Sequence, residues 1–370
     1  MSENPTTLAT VRDRLGKSQK EVAERIGVSP SLISKWEKGE RQPDEAQIWE
    51  LARVYGVSAS FLSSGRTPVT FRPRSQVARD SSEKDGLGAA LVDAAQQIHF
   101  VQDTYELSGT LPGSFPLGLR WNDQALTRQA ADLRQFLRLN ERITYDELRT
   151  ALSEQDVLVF EWNLPPKLSG LSHRRDLSVV FINAAMPERV KLFTLCHELA
   201  HLLYHLHDGG DTEVSVLATR NDPHEKEANR FATELLMPEA ALGSMIARNP
   251  EDLRSRAGFL AAVNRFGVSP EAMFYRLAQA GVTRWTERER FFTAKKRESL
   301  EKVGPRVNRI EDQVPTPLLD KAASLWQNDK VSSGKVAEWL FASRDDVDAW
   351  LAELDEAVEL GLAETDGIPA

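Results

Sequence analysis

The stretch Phe193-Thr194-Leu195-Cys196-His197-Glu198-Leu199-Ala200-His201-Leu202-Leu203-Tyr204-His205 sets two histidines four residues apart in an apolar run with helical periodicity. Positions i and i+4 of an α-helix share one face, about 6 Å apart along the axis, so both imidazoles can reach one metal ion with bonds of about 2.1 Å. Glu198, one step round the helix from His197, is placed to take a proton from a metal-activated water and pass it to a leaving amine. By composition alone H-E-x-x-H arises about once per hundred sequences of this length. Two structural imidazoles in an apolar helix would also need other polar partners, so the metal reading outweighs a structural one.

A catalytic zinc takes three protein ligands and keeps a fourth position for water, so a third donor is needed. Downstream, in HEKEANRFATELLMP, the residues Ala228, Phe231, Ala232, Leu235 and Leu236 recur at helical spacing, which fits a second helix packed beside the first. Its acidic candidates are Glu225 and, as a fallback, Glu227. Asn229 lies four residues after Glu225 on the same face and suits a hydrogen bond to a ligand ring. Carboxylates at a helix start are favourable without any metal, so this acidic start alone does not decide the matter. Cys196 reads as a small buried hydrophobe and His224 as a non-ligand. Tyr204, His205 and His207 read as surface or packing residues, with a hydrogen bond to a reaction oxyanion as the alternative.

Nearer the start, SQKEVAERIGVSPSLISKWEKG fits a helix-turn-helix: one helix from Ser18, a tight turn at Gly27, and a second helix with Ser29 as N-cap and Pro30 at its first position. Val22, Ala23 and Ile26 would pack on Ile33 and Trp36, leaving Ser31, Ser34 and Lys35 on a polar face that suits the major groove of B-DNA. Gln19, at the start of the first helix, suits a phosphate contact. The net charge of −9 disfavours nucleic-acid binding over the whole surface. It is unevenly shared: residues 1–66 hold ten Lys+Arg against nine Asp+Glu, or +1, which leaves −10 for the rest.

At 370 residues the chain exceeds the usual size of one core, and it reads as several domains. One cysteine excludes an intramolecular disulfide framework and any CxxC metal or redox site, which fits a reducing cytoplasm. The start lacks a signal-peptide pattern, and no run approaches 18 apolar residues, so neither secretion nor membrane spanning is expected. The expected fold is multidomain: an all-α head over 1–65, a linker over 66–88 in which only VTF suggests a strand, an α+β body with a small sheet over 89–284, and a mostly α-helical region over 285–370 of unreadable role. DVLVFEW and LSVVFIN read as two strands separated by a PPKLSG turn. VNRFGVSPEAMFYRLAQAG reads as packing, as do Trp339 and Trp350, although their segment faintly suggests another helix-turn-helix.

From about Gly170 to Pro238, the strand LSVVFIN, RVKLFTLCHELAHLLYH and EKEANRFATELLMP together resemble the ImmA/IrrE family of bacterial zinc metallopeptidases, in a gluzincin-like register. That resemblance implies His197, His201 and Glu225 as ligands of one zinc per chain, with manganese as the alternative metal, and Glu198 as the catalytic residue. Asn229 departs from the Asp of many gluzincins; an amide can orient a histidine but supplies no charge. LSVVFIN would serve either as a substrate-holding strand or as an ordinary sheet strand. Leu8 to Leu62 resembles an XRE-type helix-turn-helix, which implies DNA contacts by Gln19, Ser31, Ser34 and Lys35 and a homodimer on paired half-sites of an operator. The two likenesses together imply a transcriptional regulator with zinc-dependent endopeptidase activity, cleaving a repressor or related regulatory protein. The other reading is an antitoxin or repressor whose metal domain senses a signal, or binds a partner such as a toxin, without turnover.

Overall fold

The computed structural model describes residues 7–64, 70–73, 86–110, 115, 120–166, 168–206, 211–216, 222–287 and 310–359. They fall into two compact units, one made of 1–68, 92–112 and 309–370, the other of 69–91 and 113–308. No helix among the described residues is long and apolar enough to cross a membrane.

The first unit opens with five helices, α1 (Thr7–Arg14), α2 (Gln19–Ile26), α3 (Pro30–Glu37), α4 (Glu45–Tyr55) and α5 (Ala59–Ser63). Local chemistry sets their ends. Ser18 and Glu21 form a reciprocal capping box at the start of α2, and Gly27 closes that helix at φ 72°, in the left-handed region open to glycine. Ser29 caps α3 with Pro30 in its first turn. Val22, Ala23, Ile33 and Trp36 are buried between the two helices, whereas Ile26 is only half-buried.

The next helix, α6 (Leu87–Ser108), is buried on most of its sides, and from Val92 onward it belongs to the first unit. The division therefore falls elsewhere than the expected domain start at 89. An evenly apolar helix announces that it is covered but not by what. Here it is covered by the head and by the C-terminal helices. Gln96 accepts from the Ser58 N–H at 2.7 Å, and the Phe61 and His99 rings lie 5.6 Å apart. Gln97 donates to the Trp339 carbonyl at 3.0 Å. Ser60 also donates to Glu338 at 2.8 Å, and Glu338 is held by Lys335 at 2.8 Å. The C-terminal helices Thr316–Gln327, Ser333–Leu340 and Arg344–Glu359 bury Trp339 and Trp350 in their core.

The second unit is built on a five-stranded mixed sheet of order β1-β5-β3-β4-β2, with β1 Thr70–Pro73, β2 Val157–Trp162, β3 Leu168–Arg174, β4 Ser178–Asn183 and β5 Asp211–Val216. β2 and β4 are the two strands expected from their apolar runs, and both are almost wholly buried, which is why they do not alternate. The segment expected to be only a turn between them contains β3, which pairs antiparallel with β4 and β5. Its Ser, Gly and His residues hide the β signal. Within the expected linker the run VTF, read as suggesting a strand, overlaps β1, which is parallel to β5; residues 66–69 and 74–85 of that segment lie outside the described residues. β4 is an interior strand with both edges paired, so it has no free edge to hold an added strand.

Helices α7 (Leu126–Phe136), α8 (Tyr145–Ser153), α9 (Glu188–Ala200) and α10 (Pro223–Leu236) pack with this sheet around one core that includes Leu195, Leu199, Phe231 and Leu235. A buried ion pair joins Lys191 of α9 to Glu161 of β2. Removing either partner of such a pair costs about 3–5 kcal/mol, because the other charge is left buried. VNRFGVSPEAMFYRLAQAG packs as expected, burying Phe266, Met273, Phe274 and Leu277.

His173 of β3 is fully buried, and desolvation lowers its pKa from 6.5 to about 4. Between those values the unfolded chain binds a proton that the folded unit does not. Its stabilising contribution is thus complete above pH 6.5 and falls with pH by about 1.4 kcal/mol per unit down to about pH 4. Denaturant titrations across this window are expected to show a shallower loss for His173→Gln than for the wild type. Equal slopes would refute the assignment.

Candidate metal centre

His197 lies in the last turn of α9 and His201 directly follows its end, and their Nε2 atoms stand 3.0 Å apart. Glu225 comes from the first turn of α10, a helix started by Asp222, which accepts from the His224 N–H, and by Pro223. Its carboxylate oxygens lie 3.3 Å from His197 Nε2 and 3.4 Å from His201 Nε2. Three donors at bonds of about 2.1 Å and tetrahedral angles stand about 3.4 Å apart, so the arrangement fits one ion at the common point. Among the described residues these three form the only such cluster of His, Cys, Asp or Glu donors. All three are buried.

Burial alone raises the Glu225 pKa, but hydrogen bonds and charge from His197 and His201 outweigh it and hold the carboxyl well below its usual range. An ionised carboxylate facing two imidazoles is the state a cation requires. His197 Nδ1 lies 3.1 Å from Asn229 Oδ1, so the expected amide reaches the ring of the first histidine. Donation from Nδ1–H to that oxygen leaves Nε2 with its lone pair toward the other donors.

The fallback ligand, Glu227, does not join them. It lies 3.0 Å from His205 Nε2, and His205 Nδ1 lies 2.8 Å from His201 Nδ1. His205, read from sequence as a surface or packing residue, is therefore hydrogen-bonded to one of the two clustered histidines. The signal was a third histidine at the same spacing of four, but what brings it to His201 is a change of helix type after Ala200 that the sequence pattern does not reveal. His224 stacks on His205, with ring centres 4.4 Å apart, and stays outside the cluster.

The remaining neighbours match their readings. Cys196 is fully buried, and desolvation pushes its thiol up, which keeps it protonated. Tyr204 packs edge-on against Trp121 and Phe231 and donates to Gln129 at 3.3 Å. His207 lies outside the described residues.

Glu198 is fully buried and lies against β3 at Gly170. A Cβ on that glycine would come within 2.7 Å of Glu198 Oε1 and 3.0 Å of its Cδ and Cγ. The strand can approach the carboxylate only because position 170 has no side chain.

In the head, Ser31 and Lys35 are exposed on α3 and Ser34 is half-buried. Gln19 donates from its amide nitrogen to Glu37 at 2.7 Å, and Glu37 is also paired with Arg12 at 2.5 Å. Gln19 thus spends one donor inside the fold and keeps one for an outside acceptor.

Comparison with protein families assigns both regions. Residues 8–62 match the helix-turn-helix family, and residues 152–278 match the IrrE N-terminal-like domain, a peptidase family. The chain joins an XRE-type helix-turn-helix domain to an ImmA/IrrE-type peptidase-family domain. No curated protein and no solved structure matches it.

The approach of β3 to Glu198 can be tested by a double-mutant cycle. Gly170→Ala is expected to destabilise the wild type by about 1–3 kcal/mol through overpacking, and the Glu198→Ala background by at least about 1 kcal/mol less, because the clash is gone. Additive losses in urea denaturation would show that the glycine is there for another reason.

Proposed function

We propose that the protein is a DNA-binding transcriptional regulator whose middle unit is a zinc-dependent endopeptidase acting on a repressor or related regulatory protein. The observation that supports this most is the convergence of His197, His201 and Glu225 on one point, with Glu198 next in sequence to the first of them. Two imidazoles and a carboxylate are the donor set of a catalytic zinc site, and nitrogen donors favour zinc over manganese at equal availability.

A bound divalent cation supplies Lewis-acid polarisation of the scissile carbonyl and of water. Glu198 takes a proton from that water as its oxygen bonds to the carbonyl carbon. When the C–N bond breaks, Glu198 returns the proton to the departing amine nitrogen. Asn229 keeps the His197 ring oriented throughout. Glu198→Gln is expected to keep one zinc per chain and to produce no fragments from a neighbouring gene product that the wild type cuts. His197→Ala should lose the metal. Cleavage by Glu198→Gln at the wild-type rate overturns the mechanism, and a tight complex that never yields fragments would make the middle unit a binding module.

The head would act as a homodimer in the cytoplasm, with α3 in the major groove of an operator. Ser31, Ser34 and Lys35 would face the DNA, and Gln19 would touch a phosphate through its remaining donor. Lys35→Ala is expected to weaken operator binding and to lower the slope of log affinity against log salt by about 1. An unchanged slope in fluorescence-anisotropy titrations excludes a phosphate contact by Lys35.

A further inference from the structure

The metal helix does not end as an α-helix. From His201 to His205 it widens into a π-helical turn, closed by the Leu206 N–H on the His201 carbonyl at 2.9 Å. Such turns are rare and are often found at functional sites. In an α-helix the Leu206 N–H would bond the carbonyl of Leu202, so the wider closure diverts that donor. Arg174 of β3 compensates: its Nη1 donates to the Leu202 carbonyl at 3.2 Å and to the Leu206 carbonyl at 2.8 Å. The turn is thus held from outside by a buried strand.

The turn delivers His205 to His201. With His201 Nε2 directed at the ligand cluster, its proton must reside on Nδ1, which then donates to His205 Nδ1. His205 in turn carries its proton on Nε2 and donates to Glu227 Oε2. One arrangement of protons satisfies every contact in the row, and it is the one in which His201 presents a lone pair to a cation. His197 has its own, shorter arrangement on Asn229.

We propose that Glu227 and His205 are positioning residues for the metal centre: they fix the tautomer and ring plane of His201 and strengthen it as a donor, while Arg174 keeps the π-helical turn that places His205 there. This rests on the metal reading of the preceding subsection and deepens it. The Asn229 contact supplies no charge to His197, whereas the Glu227 carboxylate reaches His201 through His205, so the charged support for the ligand pair enters from the His201 side.

The test is zinc affinity, measured by competition with a chromophoric chelator on the full-length protein, together with the melting temperature of the metal-free form. His205→Ala is expected to bind one zinc with about 10- to 100-fold lower affinity than the wild type. Glu227→Gln keeps an acceptor oxygen and the shape of the side chain while losing the charge, and should show a smaller loss in the same direction. The metal-free melting temperature of Glu227→Gln should stay close to that of the wild type, which separates a positioning role from a structural one. Unchanged zinc affinity in both variants overturns the proposal and leaves the metal site standing. A loss of affinity matched by an equal fall in metal-free stability also overturns it. A wild type that binds no zinc removes the metal reading itself, and the proposal with it.

Discussion

Two imidazole nitrogens 3.0 Å apart, each within 3.4 Å of a carboxylate oxygen and all inside the protein, form an arrangement that a protein interior does not tolerate without compensation. With both nitrogens unprotonated their lone pairs would face one another and repel, and a buried carboxylate needs donors or positive charge. A cation at the common point answers both demands at once. Much of the middle unit is built to hold this cluster. α9 and α10 pack across Ala228, Phe231, Leu195 and Leu199 so that the first turn of one meets the last turns of the other. The buried Lys191–Glu161 pair fixes the opposite end of α9 to the sheet.

β3 ties the site to the sheet. Gly170 and Arg174 lie four residues apart on one face of it, the face turned toward α9. The glycine contributes by absence, leaving room for the Glu198 carboxylate, and the arginine contributes by donation, satisfying carbonyls that the π-helical turn sets free. One strand thereby acts on the residue next to His197 and on the turn that begins at His201. A shift of β3 by one residue would turn both positions to the wrong face, so the register against β4, Gly170 opposite Ile182 and Arg174 opposite Ser178, is a constraint on the site as much as on the sheet.

What the sequence revealed and what it concealed follow from the range of the forces involved. The helix start at Ser18, the turn at Gly27, the Ser29–Pro30 helix start and the i, i+4 histidines are local, and each is visible within a few residues. Glu225 and Asn229 were legible because their helix carries a periodic apolar face that implies a partner. β3 was missed because its residues are chosen for what lies against them: a glycine for Glu198, an arginine for two carbonyls, a buried histidine. The contact of His205 and Glu227 with His201 was hidden for the same reason, since the change of helix type that joins them to it is held by Arg174, 27 residues before the turn begins. The boundary at 89 shifted because the partners of α6 lie at Ser58 and Trp339, on both sides of it and far away in the chain.

The head is not a free module on a tether. α5 and its cap are hydrogen-bonded to Gln96 of α6 and, through Ser60, to Glu338 and Lys335 of the C-terminal helices, with Phe61 against His99. A cut in the segment between residues 64 and 86 would sever one covalent path and leave each of these contacts in place. Release of the head would still have to break a buried interface, which a single peptide-bond hydrolysis does not do by itself. A target in another chain meets no such obstacle, because there the cut can separate parts that nothing else joins. The architecture of the first unit therefore gives the C-terminal helices a place: they complete the core on which the head is seated.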